Sequence, residues 1–533
     1  MSDELNHECG IAALYWLDEP QGPSGPAEKA VVDGDVAPLM PGMLLDLQNR
    51  GQLAAGMSSY NKSRVQRLAT CKGVGTVTEA FRMSRPAKFA QMLSECAGDA
   101  CIGHVRYATC GADDERFAQP FERYHGRLWK WFCFAFNGNL ANYGSLRDRI
   151  LARQDYHFAL NADTEVIMHS LAYRLRGDRA ARLSSVMASL AKDLDGAYNI
   201  AFLDGMGRMV IARDPLGFRP LSWAVQGRLF AAASESVALT NMGFDNVRSV
   251  EPGQMLVVEN GKLKVERFAK PRSKALCFFE WVYFSNVASE IDGRSVYLAR
   301  SRSGEILAEM EDCQMDDSCI VVPVPDTAKA AADAYAYRMH VPCVEGLIRN
   351  RYVGRTFIQP SQSRMRSVRG KYTPLASVLE NKRVFLVEDS IVRSTTLKAL
   401  VGRIRQQGKA REIHVRVACP PIVAPCFYGI DMSTLGELFA PPFLPNRYQG
   451  RPSADTLAQM AKSLGVESLR YLTVPDLADC LKMPGSDLCT GCVMGKYPTF
   501  WGDKMMRCAR ANSNSGRQGR TYEQNARPQG AAK

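Results

Sequence analysis

The sequence predicts two domains of different class: an α+β domain in which helices cover two antiparallel sheets, then an α/β domain built on a parallel sheet. The 533 residues are 46% hydrophobic, which is enough apolar material for at least two cores. Short β-type runs separated by Gly-rich turns fill the first half, with helical patterns between them. After about residue 273, continuous apolar runs alternate with helix-like stretches, as in a parallel sheet covered on both faces.

The elements of the first half are short and follow one another closely. Strands are predicted at residues 9–16, 100–106, 131–137, 197–204, 209–213, 228–232 and 255–259. Helices are predicted at residues 38–48, 86–96, 164–176 and 183–194, and Asp163 is expected to cap the third of them. Residues 18–36 are rich in Gly, Pro and acids and predict a surface insertion. Two sheets with the helices outside them are the natural packing for this set.

The second half has the βαβ rhythm of an α/β domain. Strands are predicted at residues 319–325 and 383–388, and helices at 296–310, 329–338 and 395–406. The predicted organisation is a leader at 1–8, a first domain at 9–272, a second domain at 273–465, a C-terminal segment at 466–503 and a basic, disordered tail at 504–533.

Composition excludes several classes of protein. No apolar run approaches 18 residues, so we expect no membrane span. The acidic N-terminus lacks the basic and apolar regions of a secretory signal, which predicts a cytoplasmic protein. In that reducing compartment the 16 cysteines are expected to be core thiols or metal ligands rather than disulfides.

The net charge of +12 does not predict a specific nucleic-acid site, because half of it lies in the tail. Residues 504–533 hold seven Lys or Arg and one acid, a balance of +6. Their arginines could touch nucleic acid weakly, but a solubilising extension is the expected role. The remaining body is mildly basic, as suits a protein whose substrates are phosphates.

Cys9 has two interpretations. It is a small apolar residue at the head of a buried strand, or it is a nucleophile exposed by removal of the eight residues before it. In the second case its own freed α-amine, with an ordinary pKa of about 7.7–8.0, serves as the base.

Residues 383–396 carry a phosphate-binding pattern. A buried strand ends on Glu388 and Asp389, turns at Ser390, and enters a helix through Thr395 and Thr396. The helix N-terminus and its hydroxyls can hold a phosphate, although an ordinary capped helix with acids in its first turn has the same composition. The stretch resembles the phosphoribosyl pyrophosphate (PRPP) motif of type I phosphoribosyltransferases.

That resemblance extends to two other loops. Residues 322–328 are similar to the pyrophosphate loop, residues 350–360 to the segment that leads into the flexible loop closing over PRPP, and residues 363–371 to that flexible loop itself. The residues that it implies for binding PRPP and Mg²⁺ are Asp326, Thr327, Arg355, Lys371, Glu388, Asp389, Ser390, Arg393, Thr395 and Thr396, with Glu388 and Asp389 nearest the Mg²⁺.

Two short motifs in the first half suggest a second chemistry. Arg106 at a strand end can take a carboxylate in two hydrogen bonds, and Asn137 beside Gly138 can form an oxyanion hole. Each motif alone is common: such an arginine is usually a surface charge, and Asn-Gly is usually a turn. Together with Cys9 they resemble class II glutamine amidotransferases of the N-terminal nucleophile type, which have a four-layer αββα fold. By that resemblance Asp163 receives the α-ammonium of glutamine.

The order of the two domains resembles the amidophosphoribosyltransferase family. This implies that Cys9 releases ammonia from glutamine, and that the ammonia passes along an internal channel and displaces pyrophosphate from Mg-PRPP. The products would be 5-phosphoribosylamine, glutamate and pyrophosphate. The family further implies a homo-oligomer, dimer or tetramer, and feedback inhibition by purine nucleotides.

The pair Cys489 and Cys492 is spaced CxxC. By itself this is a zinc half-site or a coincidence among many cysteines. The iron–sulfur branch of the family implies instead that one [4Fe–4S] cluster is held by Cys277, Cys426, Cys489 and Cys492.

The chain departs from the family pattern in both halves. Ala328 and Ser394 stand where the family has glycine, and the flexible loop is one residue shorter than in its relatives. Phe136 and Phe117 replace a histidine and an asparagine near the glutamine site. Two alternatives stay open at this stage: a regulatory paralogue that binds PRPP or nucleotide with impaired transfer, and a transferase that uses free ammonia only.

Overall fold

A computed structural model describes residues 9–107, 114–160, 162–350, 372–430, 432, 434–445 and 448–515. The strands of the first half are β1 (Gly10–Trp16), β2 (Ala54–Tyr60), β3 (Leu68–Val74), β4 (Ala100–Arg106), β5 (Phe121–Arg123), β6 (Phe132–Leu140), β7 (Gly196–Asp204), β8 (Met209–Arg213), β9 (Ser222–Gln226), β10 (Leu229–Ala233), β11 (Arg248–Ser249), β12 (Gln254–Glu259) and β13 (Lys262–Arg267). Its helices are α1 (Pro26–Lys29), α2 (Met40–Asp46), α3 (Val77–Ala80), α4 (Pro86–Glu95), α5 (Tyr143–Leu151), α6 (Asp163–Arg174), α7 (Leu183–Ala191) and α8 (Val237–Asn241).

These strands form two antiparallel sheets, ordered β11-β9-β10-β1-β4-β2-β3 and β13-β12-β8-β7-β6-β5. Ile11 and Ile102 of the first sheet pack against Ala201 and Ile211 of the second, so one core lies between the sheets. Separate cores join the outer face of the first sheet to α2 and α4, and that of the second sheet to α5, α6 and α7. The result is the four-layer αββα arrangement, which confirms the predicted fold class.

The second half contains strands β14 (Leu276–Cys277), β15 (Glu290–Ile291), β16 (Arg294–Ser295), β17 (Cys319–Pro323), β18 (Leu347–Arg349), β19 (Tyr372–Pro374), β20 (Arg383–Glu388), β21 (Glu412–Val417), β22 (Ser468–Tyr471) and β23 (Leu488–Cys489). Its helices are α9 (Val296–Glu309), α10 (Lys329–Met339), α11 (Ala376–Leu379), α12 (Ser394–Gln406), α13 (Ala454–Leu464), α14 (Val474–Leu481), α15 (Gly491–Met494) and α16 (Phe500–Asn514). Strands β17, β20, β21 and β22 pair in parallel in that order. The predicted α/β class of this domain is therefore confirmed.

Three predicted details are wrong. The domain boundary at residue 465 is too early, because β22 pairs with β21 and completes the parallel sheet. The tail is not disordered from residue 504, because α16 continues to Asn514 and buries Met505, Met506 and Ala509. Asp163 is not the cap of α6 but its first residue, and Ala162 occupies the cap position.

The C-terminal segment returns to the first domain. Strand β23 pairs in parallel with β14, which places Cys489 opposite Cys277 at the junction of the two halves. Helix α16 shares a core with Ala197 and Phe218 of the first domain. Among the helices that the structure describes, none is long and apolar enough to cross a bilayer.

Candidate active sites

Cys9 lies directly before β1, beside the end of β4. The register pairs Gly10 with Val105, so the next residues, Arg106 and Tyr107, lie next to Cys9. The Cys9 Sγ donates to the backbone carbonyl of Tyr107 at 3.5 Å. Burial raises the pKa of the Cys9 thiol, while the hydrogen bond to Tyr107 and the charge of Arg106 oppose the rise and the charge of Asp163 adds to it. The thiol is therefore neutral in this environment and needs a base to become a nucleophile.

Strand β6 presents Asn137 and Gly138 to the same region. The Asn137 Nδ2 donates to the Ser234 Oγ at 3.2 Å, and the same oxygen accepts from the Ile11 backbone N–H at 3.0 Å. This leaves the second amide hydrogen of Asn137 for another acceptor. Gly138 has φ +154°, and a Cβ there would lie 2.0 Å from the Ala197 carbonyl oxygen. Only glycine fits at this position, because any side chain would collide with the backbone of β7.

Arg106 and Asp163 supply opposite charges in a buried setting. Burial raises the pKa of Asp163 to about 6, although backbone N–H groups of Leu140 and Thr164 favour its charged form. The guanidinium of Arg106 lies 5.3 Å from the centre of the Phe117 ring. The Phe117 ring therefore packs against this arginine, at a position where the family has an asparagine that can form hydrogen bonds.

Phe136 is held through its backbone. Its N–H donates to the Gln119 Oε1 at 2.7 Å, and its carbonyl accepts from the His104 Nε2 at 3.2 Å. Burial lowers the pKa of His104 to about 3, so that ring is neutral and donates from Nε2. The Phe136 side chain packs in the core between β6 and α6. This replacement therefore changes the core behind Asn137 and leaves the oxyanion pair in place.

The second site lies at the carboxyl edge of the parallel sheet. Strands β17 and β20 end side by side, with Pro323 opposite Val387, so the loops that follow them are neighbours. The Thr327 hydroxyl donates to one oxygen of Asp389, and the Ser390 hydroxyl donates to the other at 2.7 Å. Asp326 pairs with Arg349. Such an edge, with hydroxyls and carboxylates at two adjacent loops, is where open α/β sheets bind their ligands.

The helix that follows this edge begins at Ser394. Arg393 occupies its cap position and pairs with Glu437 at 3.3 Å. Thr395 is exposed and Thr396 is half-buried in the first turn. The structure thus brings Thr327, Glu388, Asp389, Ser390, Arg393, Thr395 and Thr396 to one loop cluster, with Asp326 beside it. Arg355 and Lys371 lie outside the described residues.

Ala328 does not need the conformational freedom of glycine. It caps α10 with φ −80° and ψ −3°, which is ordinary right-handed backbone. Its methyl group is buried in a core with Ala331, Ala332 and Tyr335. Ser394 is likewise helical, as the first residue of α12. Neither replacement places the chain in a conformation that favours glycine.

Four cysteines meet at the domain junction. Cys277, Cys426, Cys489 and Cys492 line one cavity, together with Arg219 and Tyr497. Burial raises the pKa of Cys277 to about 12, and the nearby charge of Arg219 opposes the rise. Within the described residues, the one group of three or more potential ligands that lie within 4.8 Å of one another is Glu311, Asp312 and Cys313. The four sulfurs therefore surround a wider space than a single zinc ion needs, since four sulfurs at about 2.3 Å from one metal lie less than about 4 Å apart.

The sequence did not assign roles to several residues that the structure places around these sites. Arg50 donates to the carbonyl of Cys9, Ser234 contacts Asn137, and Arg300 lines a cavity with Asp389. The contacts of Arg50 with Cys9 and of Ser234 with Asn137 join residues far apart in sequence. Arg300 had no sequence signal beyond its place in a predicted helix.

Comparisons with known proteins agree with this geometry. Residues 86–251 match the glutamine amidotransferase domain family. The amidophosphoribosyltransferase of Methanothermobacter thermautotrophicus is 38% identical over 499 residues, which cover 93% of this chain and 95% of that protein. The Bacillus subtilis amidophosphoribosyltransferase is 36% identical, and the match covers 93% of this chain and 95% of that protein. A solved structure of glutamine PRPP amidotransferase from B. subtilis, complexed with ADP and GMP, superposes with a TM-score of 0.76 at 34% identity and covers 92% of this chain and 97% of its own.

Proposed function

The chain belongs to the amidophosphoribosyltransferase family, and from this premise we propose how its own residues carry out the reaction. It is a glutamine-dependent glycosyltransferase of purine biosynthesis that makes 5-phosphoribosylamine, glutamate and pyrophosphate from glutamine, PRPP and water. One observation supports the assignment of residues: Cys9, Arg106, Asn137 and Asp163 are buried or half-buried and lie close together, near one end of strands β1, β4 and β6.

Glutamine is cleaved at Cys9. Removal of residues 1–8 frees the α-amine of Cys9, which takes the proton of its own thiol as the sulfur attacks the side-chain amide. The second amide hydrogen of Asn137 and the backbone N–H of Gly138 stabilise the oxyanion of the tetrahedral intermediate. Arg106 binds the α-carboxylate and Asp163 the α-ammonium, so the substrate is held by both charged groups. When this intermediate collapses, the C–N bond breaks and the α-ammonium of Cys9 returns its proton to the leaving nitrogen, which departs as ammonia. Water then hydrolyses the Cys9 thioester to glutamate, and the ammonia reaches the second site by an internal path.

PRPP is bound at the carboxyl edge of the parallel sheet. Asp389 accepts hydrogen bonds from the hydroxyls of Thr327 and Ser390, which supports a role for its carboxylate as the acceptor for ribose hydroxyls. The first turn of α12, with Thr395 and Thr396, receives the 5-phosphate. Asp326, which pairs with Arg349, belongs to the loop that is expected to hold the pyrophosphate, and Arg393 at the start of α12 supplies a positive charge for the phosphate. Arg355 and Lys371 are proposed to close over the leaving group.

The oxygen donors at this edge fit Mg²⁺. Glu388, Asp389 and Asp326 present carboxylates, the ligands that Mg²⁺ prefers together with phosphate oxygens. The ion would neutralise the charge that develops on the departing pyrophosphate. The side chains at this edge orient the ribose and hold its C1 toward the incoming ammonia.

The four junction cysteines fit a [4Fe–4S] cluster. They supply four thiolates around one cavity whose sulfurs are too far apart for a preformed zinc site. The guanidinium of Arg219, which lines the same cavity, offsets part of the negative charge of the thiolates. Bound there, the cluster would cross-link β14, the loop at Cys426 and the C-terminal segment, a structural role.

Replacement of one cluster cysteine should remove the cluster. We expect Cys489→Ser to lose most of the bound iron and acid-labile sulfide. It lacks one of the four thiolate ligands, and the ligands together supply the large free energy that binds the cluster. Cys480→Ser, at a buried cysteine outside the four, should retain both. Iron and sulfide analysis of anaerobically purified protein measures this. Equal iron and sulfide in the two variants would contradict the assignment.

Glutamine affinity should fall in mild acid. The pKa of Asp163 is about 6, so below that pH its carboxyl becomes neutral and loses its attraction for the α-ammonium. Protonation of the Cys9 α-amine already lowers kcat/KM for glutamine below about pH 8, so we expect Asp163 to add a second step, a further factor of about ten per pH unit below about pH 6. Stopped assays of glutamate release between pH 5 and 8 measure it. Asp163→Asn should have a low kcat/KM without this step, and a step that persists in the variant would assign it to another group.

Pyrophosphate release measured with glutamine and with ammonia distinguishes the glutamine-dependent enzyme from the regulatory paralogue and from the ammonia-only transferase. We expect PRPP-dependent pyrophosphate release with glutamine and with ammonia, and a mature N-terminus at Cys9. A regulatory paralogue would release pyrophosphate with neither source, and an ammonia-only transferase would respond to ammonia and keep its leader. The ordinary backbone at Ala328 supports the enzyme over the paralogue.

Regulation and assembly are proposed from the relatives. The related B. subtilis structure is complexed with ADP and GMP, which supports feedback inhibition of this chain by purine nucleotides. We also propose a homo-oligomer, dimer or tetramer, without a specific nucleic-acid partner. All 15 described cysteines are free, which supports a cytoplasmic setting.

A further inference from the structure

Four charged side chains are buried together where the two domains meet. We call Arg50, Arg219, Glu235 and Glu280 the junction charge cluster; each is at most 1% exposed. Arg50 bonds to Glu235 at 2.9 Å and to Glu280 at 2.8 Å, and Arg219 bonds to Glu280 at 3.4 Å. Glu280 is therefore the carboxylate that both arginines share.

The cluster reaches the glutamine site by two routes. The Arg50 Nε donates to the backbone carbonyl of Cys9 at 3.3 Å. Glu235 follows Ser234, whose hydroxyl oxygen accepts from Asn137 and from the N–H of Ile11. One route therefore fixes the backbone of the nucleophile, and the other fixes the amide of the oxyanion pair.

The same cluster is anchored in the segment that opens the second domain. Glu280 begins the turn Glu280–Phe284, and the Ser285 hydroxyl donates to its Oε2 at 2.8 Å. The backbone of this segment is held in turn by Arg300, whose Nε donates to the Trp281 carbonyl at 2.8 Å. Arg300 lines a cavity with Thr327 and Asp389 of the PRPP edge. The turn thus lies between the two reacting centres.

Loss of the Glu280 charge would disturb the contact between Arg50 and the backbone of Cys9. Burial raises the pKa of Glu280, but the charges of Arg50 and Arg219 outweigh it and hold the pKa below its ordinary value. A neutral side chain in its place would leave two buried guanidinium groups with one carboxylate, so they would move apart. Arg50 would then shift from the Cys9 carbonyl, because the same guanidinium makes both contacts.

We propose that Glu280 is a positioning residue for the glutamine half-reaction: by holding Arg50 it sets the backbone of Cys9 for attack. This rests on the proposed role of Cys9 as nucleophile. It makes cleavage of glutamine in the first domain depend on a side chain at the start of the second.

The test compares Glu280→Gln with Glu311→Gln. Glu311 forms an equally buried pair with Arg416 at 2.5 Å within the second domain, so the second variant loses a like charge elsewhere. We expect E280Q to lower kcat for glutamine hydrolysis by about 10- to 100-fold with KM changed less than about threefold, since Arg106 and Asp163 still bind the substrate. E311Q should keep kcat within about twofold. Glu280→Asp, which keeps the charge, should recover part of the loss.

A second measurement tests the positioning of Cys9 even if the chain hydrolyses no glutamine. The rate at which iodoacetamide alkylates Cys9, followed by peptide mass spectrometry, should change at least about threefold in E280Q and E280D and stay unchanged in E311Q. Wild-type protein without glutaminase activity would contradict the proposed function, while this rate would still test the positioning. Equal kcat and equal alkylation in E280Q and wild type, or equal losses in E280Q and E311Q at matched thermal stability, would overturn the inference.

Discussion

Cys9→Ala is expected to lose glutamine-dependent synthesis of phosphoribosylamine by about 10⁴-fold or more, because the thioester is proposed to form on the Cys9 sulfur. Ammonia-dependent synthesis should stay within about twofold of wild type, since the PRPP site is untouched. Pyrophosphate release with each nitrogen source, at saturating PRPP, measures the two activities separately.

The matched control is Cys101→Ala. Cys101 is a fully buried cysteine of β4 in the same sheet, and its thiol bonds to the carbonyl of Ile102. It should keep both activities, with only a small loss of stability. Glutamine-dependent activity in the Cys9 variant above about one hundredth of wild type would show that another nucleophile does the work.

Asp389→Asn is the counterpart in the second domain, and it should lower activity with both nitrogen sources. Asp389 is 5% exposed and accepts from two hydroxyls at once, so an amide in its place would turn a donor toward one of them. We expect PRPP-dependent pyrophosphate release to fall by about 10³-fold with glutamine and with ammonia. Titration calorimetry with Mg-PRPP would report the loss of binding.

The control for that variant is Asp316→Asn. Asp316 precedes β17 at the amino edge of the same sheet and bonds to Ser318, away from the carboxyl edge. Its turnover should match wild type. If Asp389→Asn lost activity with glutamine alone, the residue would belong to the ammonia path instead of the PRPP site.

Local patterns in the sequence predicted much of this architecture. The apolar run that forms β20 ends on Glu388 as predicted, since a strand buried on both faces has few polar residues until its end. Helices α2, α4, α6 and α7 begin and end within a few residues of their predicted bounds, whereas α5 was not predicted. Cys277, Cys426, Cys489 and Cys492 were grouped by resemblance, and the structure brings them around one cavity.

What the sequence did not predict depends on contacts between distant residues. Nothing local marks Glu280 as the partner of Arg50, because 230 residues separate them. The extension of the parallel sheet to β22 was missed for a related reason: residues 468–471 alternate buried and half-buried and carry no continuous apolar run. The sequence predicts disorder from residue 504, inside α16, because the few apolar residues there are dispersed among basic and polar ones.

The return of α16 to the first domain has a consequence for the order in which the chain folds during synthesis. Met505, Met506 and Ala509 complete a core that also contains Ala141, Ala197 and Phe218. Domains usually fold as they leave the ribosome, first the N-terminal one. Here that apolar face of the first domain stays uncovered until α16 has left the ribosome. The last helix that the structure describes therefore completes the first domain to be made.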